Sequence, residues 1–424
     1  MRGLDLDTEI DAAEQRHPMA ATDGDSRECR IESFPVGYHR LHPDVSLNYQ
    51  MNRFNGKANT QANMIAEMRG VAPKIHDYSD YIREFLALSE RALARGDTLD
   101  GAASLRSAEF FMFSDDPRKQ PSRRQFIRLM REYFHAKTSE RFDIPFQGGA
   151  LSAYRFVAPR PKGTIVVHGG FDSYIEEMFP IQFCLSGAGY DIVAFEGPGQ
   201  GTPLEDSHLP MTPEWEKPVK AILDYFHLDD VTLMGVSLGG CLALRAAAHE
   251  PRVQRVVADD VLTDFYEACL RQTSATQRRE LAFLLKAGAA GVVNALSGKA
   301  MKKSLAVEWG VRQGMYTTGT KSPYEFLKQT QLYRTDDVSP FVKQDVLLMA
   351  GAEDHYVPPH QFYDQILSLN HVRSLTARLF TREEQAQNHC QTGNVGLALR
   401  VITDWIEGSH LPSLGSSRPM SRVG

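Results

Sequence analysis

Ser237 stands in Gly235-Val236-Ser237-Leu238-Gly239, after the apolar run Val231-Thr232-Leu233-Met234 and before Gly240-Cys241-Leu242-Ala243-Leu244. That order reads as a strand, a tight turn and a helix, with the serine at the apex. Glycines on either side let strand and helix approach where a Cβ would clash, and the helix N-terminus favours negative charge developing beside the serine. A serine hydroxyl is a poor nucleophile until a base takes its proton and a third group orients that base. The chemistry implied is attack on a carbonyl carbon.

The remaining parts are sought at later strand ends, in the order serine, acid, histidine. The run 345–350 leads into Gly351-Ala352-Glu353-Asp354-His355, where Asp354 is the chosen orienting acid and Glu353 its runner-up. His389 follows the run 375–380 and precedes a closing helix, which makes it the general base; His355, beside the acid, is read as a loop residue. Tetrahedral intermediates need hydrogen-bond donors for their oxyanion. The backbone N–H of Leu238 supplies one, and the turn His168-Gly169-Gly170-Phe171-Asp172-Ser173 supplies the other, from Phe171 or Gly170 with Phe171 preferred. Asp172 is assigned to substrate binding. Asp259, Asp260 and Glu267 lie after the next strand as candidates for a second acid/base. The glycines of Glu196-Gly197-Pro198-Gly199-Gln200-Gly201 are read as a structural turn, because neither P-loop nor dinucleotide spacing is present.

Composition narrows what such a site acts on. The chain has 424 residues, a formal net charge of −6 and 42% hydrophobic residues, an ordinary globular balance. Basic residues cluster only in pairs, which argues against nucleic acid as a partner. No secretory leader and no run long enough to span a bilayer is evident, so a cytoplasmic protein without a membrane partner is expected. Five cysteines without a CxxC pair argue against a disulfide framework and a zinc site, and are read mainly as small core residues, with Cys390 set apart beside His389. No metal and no cofactor are expected.

These residues need a scaffold. Short β-type runs at 152–157, 164–167, 191–195, 231–234, 253–258, 345–349 and 375–380 alternate with helical or turn-rich stretches, the pattern of a mostly parallel sheet covered on both faces. Such a sheet binds ligands at the carboxyl ends of its strands. Before it, residues 46–139 carry a 3.6-residue apolar period and form a helical N-terminal domain. The core is expected at 140–268 and 338–410, interrupted by a helical lid at 269–337. Residues 1–45 read as a mobile leader and 411–424 as a disordered tail.

Taken together, His168-Gly169-Gly170-Phe171-Asp172-Ser173, Phe195-Glu196-Gly197-Pro198-Gly199-Gln200-Gly201, Gly235-Val236-Ser237-Leu238-Gly239-Gly240 and His389-Cys390-Gln391-Thr392-Gly393-Asn394 resemble one branch of the α/β-hydrolases. That branch contains bacterial 2,6-dihydroxypseudooxynicotine hydrolase and fungal hydrolases that shorten polyketide chains. The resemblance extends to Ala108-Glu109-Phe110-Phe111-Met112-Phe113 and to Trp309-Gly310-Val311-Arg312-Gln313-Gly314-Met315. It implies the α/β-hydrolase fold, a triad of Ser237, Asp354 and His389, often a homodimer, and hydrolysis of a C–C bond next to a ketone. A further carboxylate assists protonation in that chemistry, with Glu267 as the candidate. The expected substrate is a bulky polyketide or polyketide-peptide hybrid. Rival expectations are a non-hydrolytic cyclisation, dehydration or condensation on the same fold, and a ligand-binding protein without catalysis.

Overall fold

A computed structural model describes residue 27, residues 29–58 and residues 62–409. The expectations for residues 1–26 and for the tail at 411–424 fall outside the described residues. Five helices come first: α1 (Val45–Ala58), α2 (Ala62–Val71), α3 (Tyr78–Ala94), α4 (Thr98–Phe110) and α5 (Lys119–Tyr133). The Asp77 side chain caps α3 by accepting the Asp80 N–H at 2.8 Å. Tyr78, Tyr81, Ile82, Phe85, Leu88 and Ala92 then recur at helical spacing and are buried. In α4 almost every residue is buried, because Ala102, Ala103, Ser104, Ser107 and Ala108 are small enough for neighbours to close in from all sides.

Eight strands form one sheet in the order β1-β2-β4-β3-β5-β6-β7-β8. They are β1 (Arg141–Phe146), β2 (Gly149–Phe156), β3 (Thr164–His168), β4 (Asp191–Glu196), β5 (Val231–Val236), β6 (Val253–Asp259), β7 (Asp345–Gly351) and β8 (Ser374–Phe380). The pairs β1/β2 and β2/β4 are antiparallel and the others parallel. Successive side chains leave a strand on opposite faces. Ile165 and Val167 accordingly join one core cluster and Val166 the other. A third cluster, containing Leu47, Met51, Tyr81, Phe85 and Phe111, lies among the N-terminal helices and takes in Trp309 from far along the chain.

Between and after the strands run α6 (Phe179–Gly187), α7 (Gly201–Glu205), α8 (Glu216–Phe226) and α9 (Leu238–Ala247). The interval between β6 and β7 is helical, with α10 (Phe265–Cys269), α11 (Ala275–Lys286), α12 (Ala290–Met301), α13 (Leu305–Thr318) and α14 (Pro323–Thr330). The last two helices are α15 (His360–Ser368) and α16 (Val395–Ser409). Among the described residues, no helix is long and apolar enough to cross a membrane.

Three expectations need correction. Residues 29–44, placed in a mobile leader, are anchored to the fold at particular points: Phe34 is 4% exposed in the core beside α16, and Gly37 N donates to Gly393 O at 2.7 Å. The cysteine reading fails for two of the five residues, since Cys29 and Cys184 form a disulfide that ties this segment to α6. Strand β1 was not foreseen. It is an edge strand whose Arg141, Asp143 and Pro145 dilute the apolar signal of Phe142, Ile144 and Phe146.

Candidate active site

The turn after β5 holds Ser237 at φ 63° and ψ −127°, a backbone conformation that costs a non-glycine residue energy and persists only where its surroundings enforce it. The enforcement is visible. Ser237 N donates to Asp259 O at 2.7 Å, and a Cβ on Gly235 would lie 1.9 Å from Gly239 O, so only glycine permits the turn to close.

Ser237, His389 and Asp354 come from the ends of three different strands and meet in one chain of hydrogen bonds. Ser237 Oγ lies 2.8 Å from His389 Nε2, and His389 Nδ1 lies 2.6 Å from Asp354 Oδ2. The other Asp354 oxygen accepts the N–H groups of Tyr356 at 2.6 Å and Val357 at 2.9 Å. Burial alone would raise the Asp354 carboxyl, but the neighbouring His389, His355 and the Val357 N–H outweigh it and hold it at about 2. Burial likewise opposes charge on His389, yet Asp354 overcomes it and lifts the imidazole well above its ordinary value. An imidazole so placed can take the Ser237 proton and be stabilised as it does so.

Asp260, one of the candidates for a second acid, also faces this imidazole. Its Oδ2 is 3.4 Å from His389 Nδ1 and accepts the Cys390 N–H at 2.8 Å, while Oδ1 accepts from Gln391 Nε2 at 3.2 Å. Burial, helped by the nearby Asp354 charge and opposed by the hydrogen bond from His389, pushes Asp260 up to about 7.

The oxyanion turn after β3 is set by a residue the sequence reading passed over. Gln200 Nε2 donates at 2.8 Å to the carbonyls of both Gly169 and Gly170, and Gln200 Oε1 accepts the Gly197 N–H at 2.9 Å. A trans peptide carries its N–H opposite its C=O. With both carbonyls turned to Gln200, the N–H groups of Gly170 and Phe171 therefore face away from it. Gly170 presses on the serine turn so closely that a Cβ there would lie 2.7 Å from Leu238 N. His168 is not reactive in this arrangement. Its Nδ1 donates to Gly169 O at 2.9 Å, its Nε2 accepts from Trp215 Nε1 at 3.2 Å, and burial lowers it to about 4.

The other candidates are engaged by other partners. Glu267 has its carboxylate engaged by His360 Nε2 at 2.9 Å and Gln361 Nε2 at 3.3 Å. Asp172 is paired through Oδ1 with Arg53 Nη1 at 2.9 Å, so its charge is already matched by the protein. Glu353 is exposed and bound by Arg382, which removes it as a rival to Asp354. His355 packs its ring on Tyr49 and Tyr356, at 4.7 and 3.9 Å between centroids, and burial lowers it to about 4. Asp260, His389 and Cys390 are the one group of potential metal ligands among the described residues. His389 is committed to Ser237 and Asp354 there.

A family model described as alpha/beta hydrolase fold matches residues 165–375. Among curated relatives, the hydrolyase poxO of Penicillium oxalicum is 29% identical over 76% of this chain and 86% of its own length. The 20-hydroxy-prefusarin hydrolase FUS2 of Gibberella moniliformis is 26% identical over 76% of this chain and 85% of its own. Of solved structures, 2,6-dihydroxy-pseudo-oxynicotine hydrolase is 20% identical with a TM-score of 0.57, covering 84% of this chain and 94% of that one. AbyA5 is 19% identical with a TM-score of 0.63, over 86% and 95%. At such identities the solved structures speak for the fold alone.

Proposed function

Since the chain has the α/β-hydrolase fold and is similar over three quarters of its length to fungal hydrolases, we propose that it is a serine hydrolase of a secondary-metabolite pathway. Its substrate is a bulky polyketide-type molecule, cleaved at an ester or at a C–C bond next to a ketone. The reading rests on one observation, the hydrogen-bonded chain from Ser237 through His389 to Asp354.

Ser237 Oγ adds to the substrate carbonyl while His389 Nε2 takes its proton. Asp354 orients the imidazole and stabilises the imidazolium. The oxyanion is held by the Leu238 N–H and by that of Phe171 or Gly170. Collapse breaks the bond to the leaving oxygen or carbon, and the His389 imidazolium returns the proton to the departing group. Water, deprotonated by His389, then releases the acyl group from Ser237.

Substitution Ser237→Ala is expected to abolish turnover and covalent labelling by a fluorophosphonate while leaving thermal unfolding unchanged. Full activity in that variant would overturn the proposal. In H₂¹⁸O, one labelled oxygen is expected in the carboxylate product; its absence from a product formed by active enzyme would exclude hydrolysis.

A further inference from the structure

Helix α1 carries three polar side chains within one turn, Tyr49, Gln50 and Arg53, and each reaches a different loop of the site. Tyr49 is fully enclosed. Its Oη donates to the His389 carbonyl at 3.1 Å and accepts from Thr392 Oγ1 at 3.3 Å. Gln50 Nε2 donates at 3.2 Å to Tyr356 Oη, on the loop that presents Asp354. Arg53 bridges Asp172 Oδ1 at 2.9 Å and Glu177 Oε2 at 3.0 Å, on the segment that follows the oxyanion turn. Arg106 of α4 completes the grip, with Nη2 donating to the Asp172 carbonyl at 2.7 Å and Nε to Glu177 Oε1 at 2.6 Å.

These loops need holding from outside. Cys390 and Gln391, directly after the base, have φ of 48° and 46°, a region that side-chain-bearing residues rarely adopt. The base loop, the acid loop and the oxyanion turn follow β8, β7 and β3, and a rigid helix touching all three fixes their mutual distances. Arginine suits the position of Arg53: its planar fork can meet two carboxylates at once and does not lose its charge when buried.

We infer that α1 braces the site, with Tyr49 and Arg53 as positioning residues for the base loop and the oxyanion turn. This rests on the serine-hydrolase reading above. It assigns the N-terminal helices a part in setting the reaction geometry.

The test uses the full chain, the rate of fluorophosphonate labelling at Ser237, and kcat and KM for the small ester p-nitrophenyl acetate. Since a displacement of 1 Å costs about 10²-fold in rate, Arg53→Gln is expected to lower kcat about 10²-fold and Tyr49→Phe about tenfold, with KM changed less than about twofold. Arg53→Lys, which keeps the charge but not the fork, is expected to recover part of the loss. Folded variants with wild-type kcat, or a raised KM with kcat intact, would overturn the brace. Should Arg53→Gln fail to fold, Tyr49→Phe decides, since it removes a single hydroxyl. A wild-type chain that is not labelled at Ser237 overturns the serine reading and the brace with it, whereas a labelled wild type with unaffected variants overturns the brace alone.

Discussion

Asp260 and Asp354 face the same imidazole nitrogen, at 3.4 and 2.6 Å, yet their surroundings drive them in opposite directions. Asp354 is held at about 2, whereas burial and its neighbour push Asp260 up to about 7. The folded protein therefore binds a proton at Asp260 that the unfolded chain releases near the ordinary value of 3.8. The sign follows from linkage: the favourable contribution is complete below that value and is lost as pH rises towards 7. The loss runs at up to about 1.4 kcal/mol per pH unit. Asp260→Asn, neutral throughout, lacks this slope. Urea unfolding is expected to show the wild-type chain losing stability relative to Asp260→Asn between pH 4 and pH 7. Parallel pH profiles would show that the proton is not retained.

At the scale of elements, the disulfide between Cys29 and Cys184 fastens a short segment to α6 across 155 residues of sequence. Bridges that close long loops typically contribute about 2–4 kcal/mol. Alkylating the denatured chain without reductant is expected to modify Cys241, Cys269 and Cys390 alone, and with reductant all five cysteines. Five modified residues in both experiments would mean that the bridge is not formed. The bridge was not legible in the sequence because a pairing between distant cysteines depends on where the fold brings them, whereas β5, the serine turn and α9 are written locally in apolar runs and glycines. Strand β1 had a legible sign that was missed: Gln147 and Gly148, both at positive φ, make the two-residue turn of a hairpin before Gly149. Asp354 could be read because it sits just past the buried strand β7, and His389 because it lies in the loop between the last strand and the closing helix. Tyr49 and Arg53 could not, since their significance lies in partners far along the chain and no local pattern marks them; Gln200 stands in the marked turn Glu196–Gly201, but its hold on Gly169 and Gly170 is a contact between distant segments.

For the whole molecule, two groups of helices from distant stretches, the N-terminal helices and the helices between β6 and β7, are joined to each other. Trp309 of α13 stacks on Phe110 of α4, with 4.6 Å between centroids, and donates Nε1 to the Phe110 carbonyl at 3.2 Å. Arg312 pairs with Asp115 at 2.8 Å and lies over the Phe113 ring, and Tyr78 Oη bonds the Leu305 carbonyl. Trp309→Ala removes the largest of these contacts and is expected to cost about 3–5 kcal/mol of stability. It should also speed proteolytic cleavage within residues 269–337 under native conditions. Unchanged cleavage in a destabilised variant would show that the seam does not hold this segment. Because each group of helices is fitted to the other, neither can be exchanged by itself. A chimera that takes only one of them from a relative inherits a mismatched seam, and exchanging either without loosening the molecule requires moving both as a matched pair.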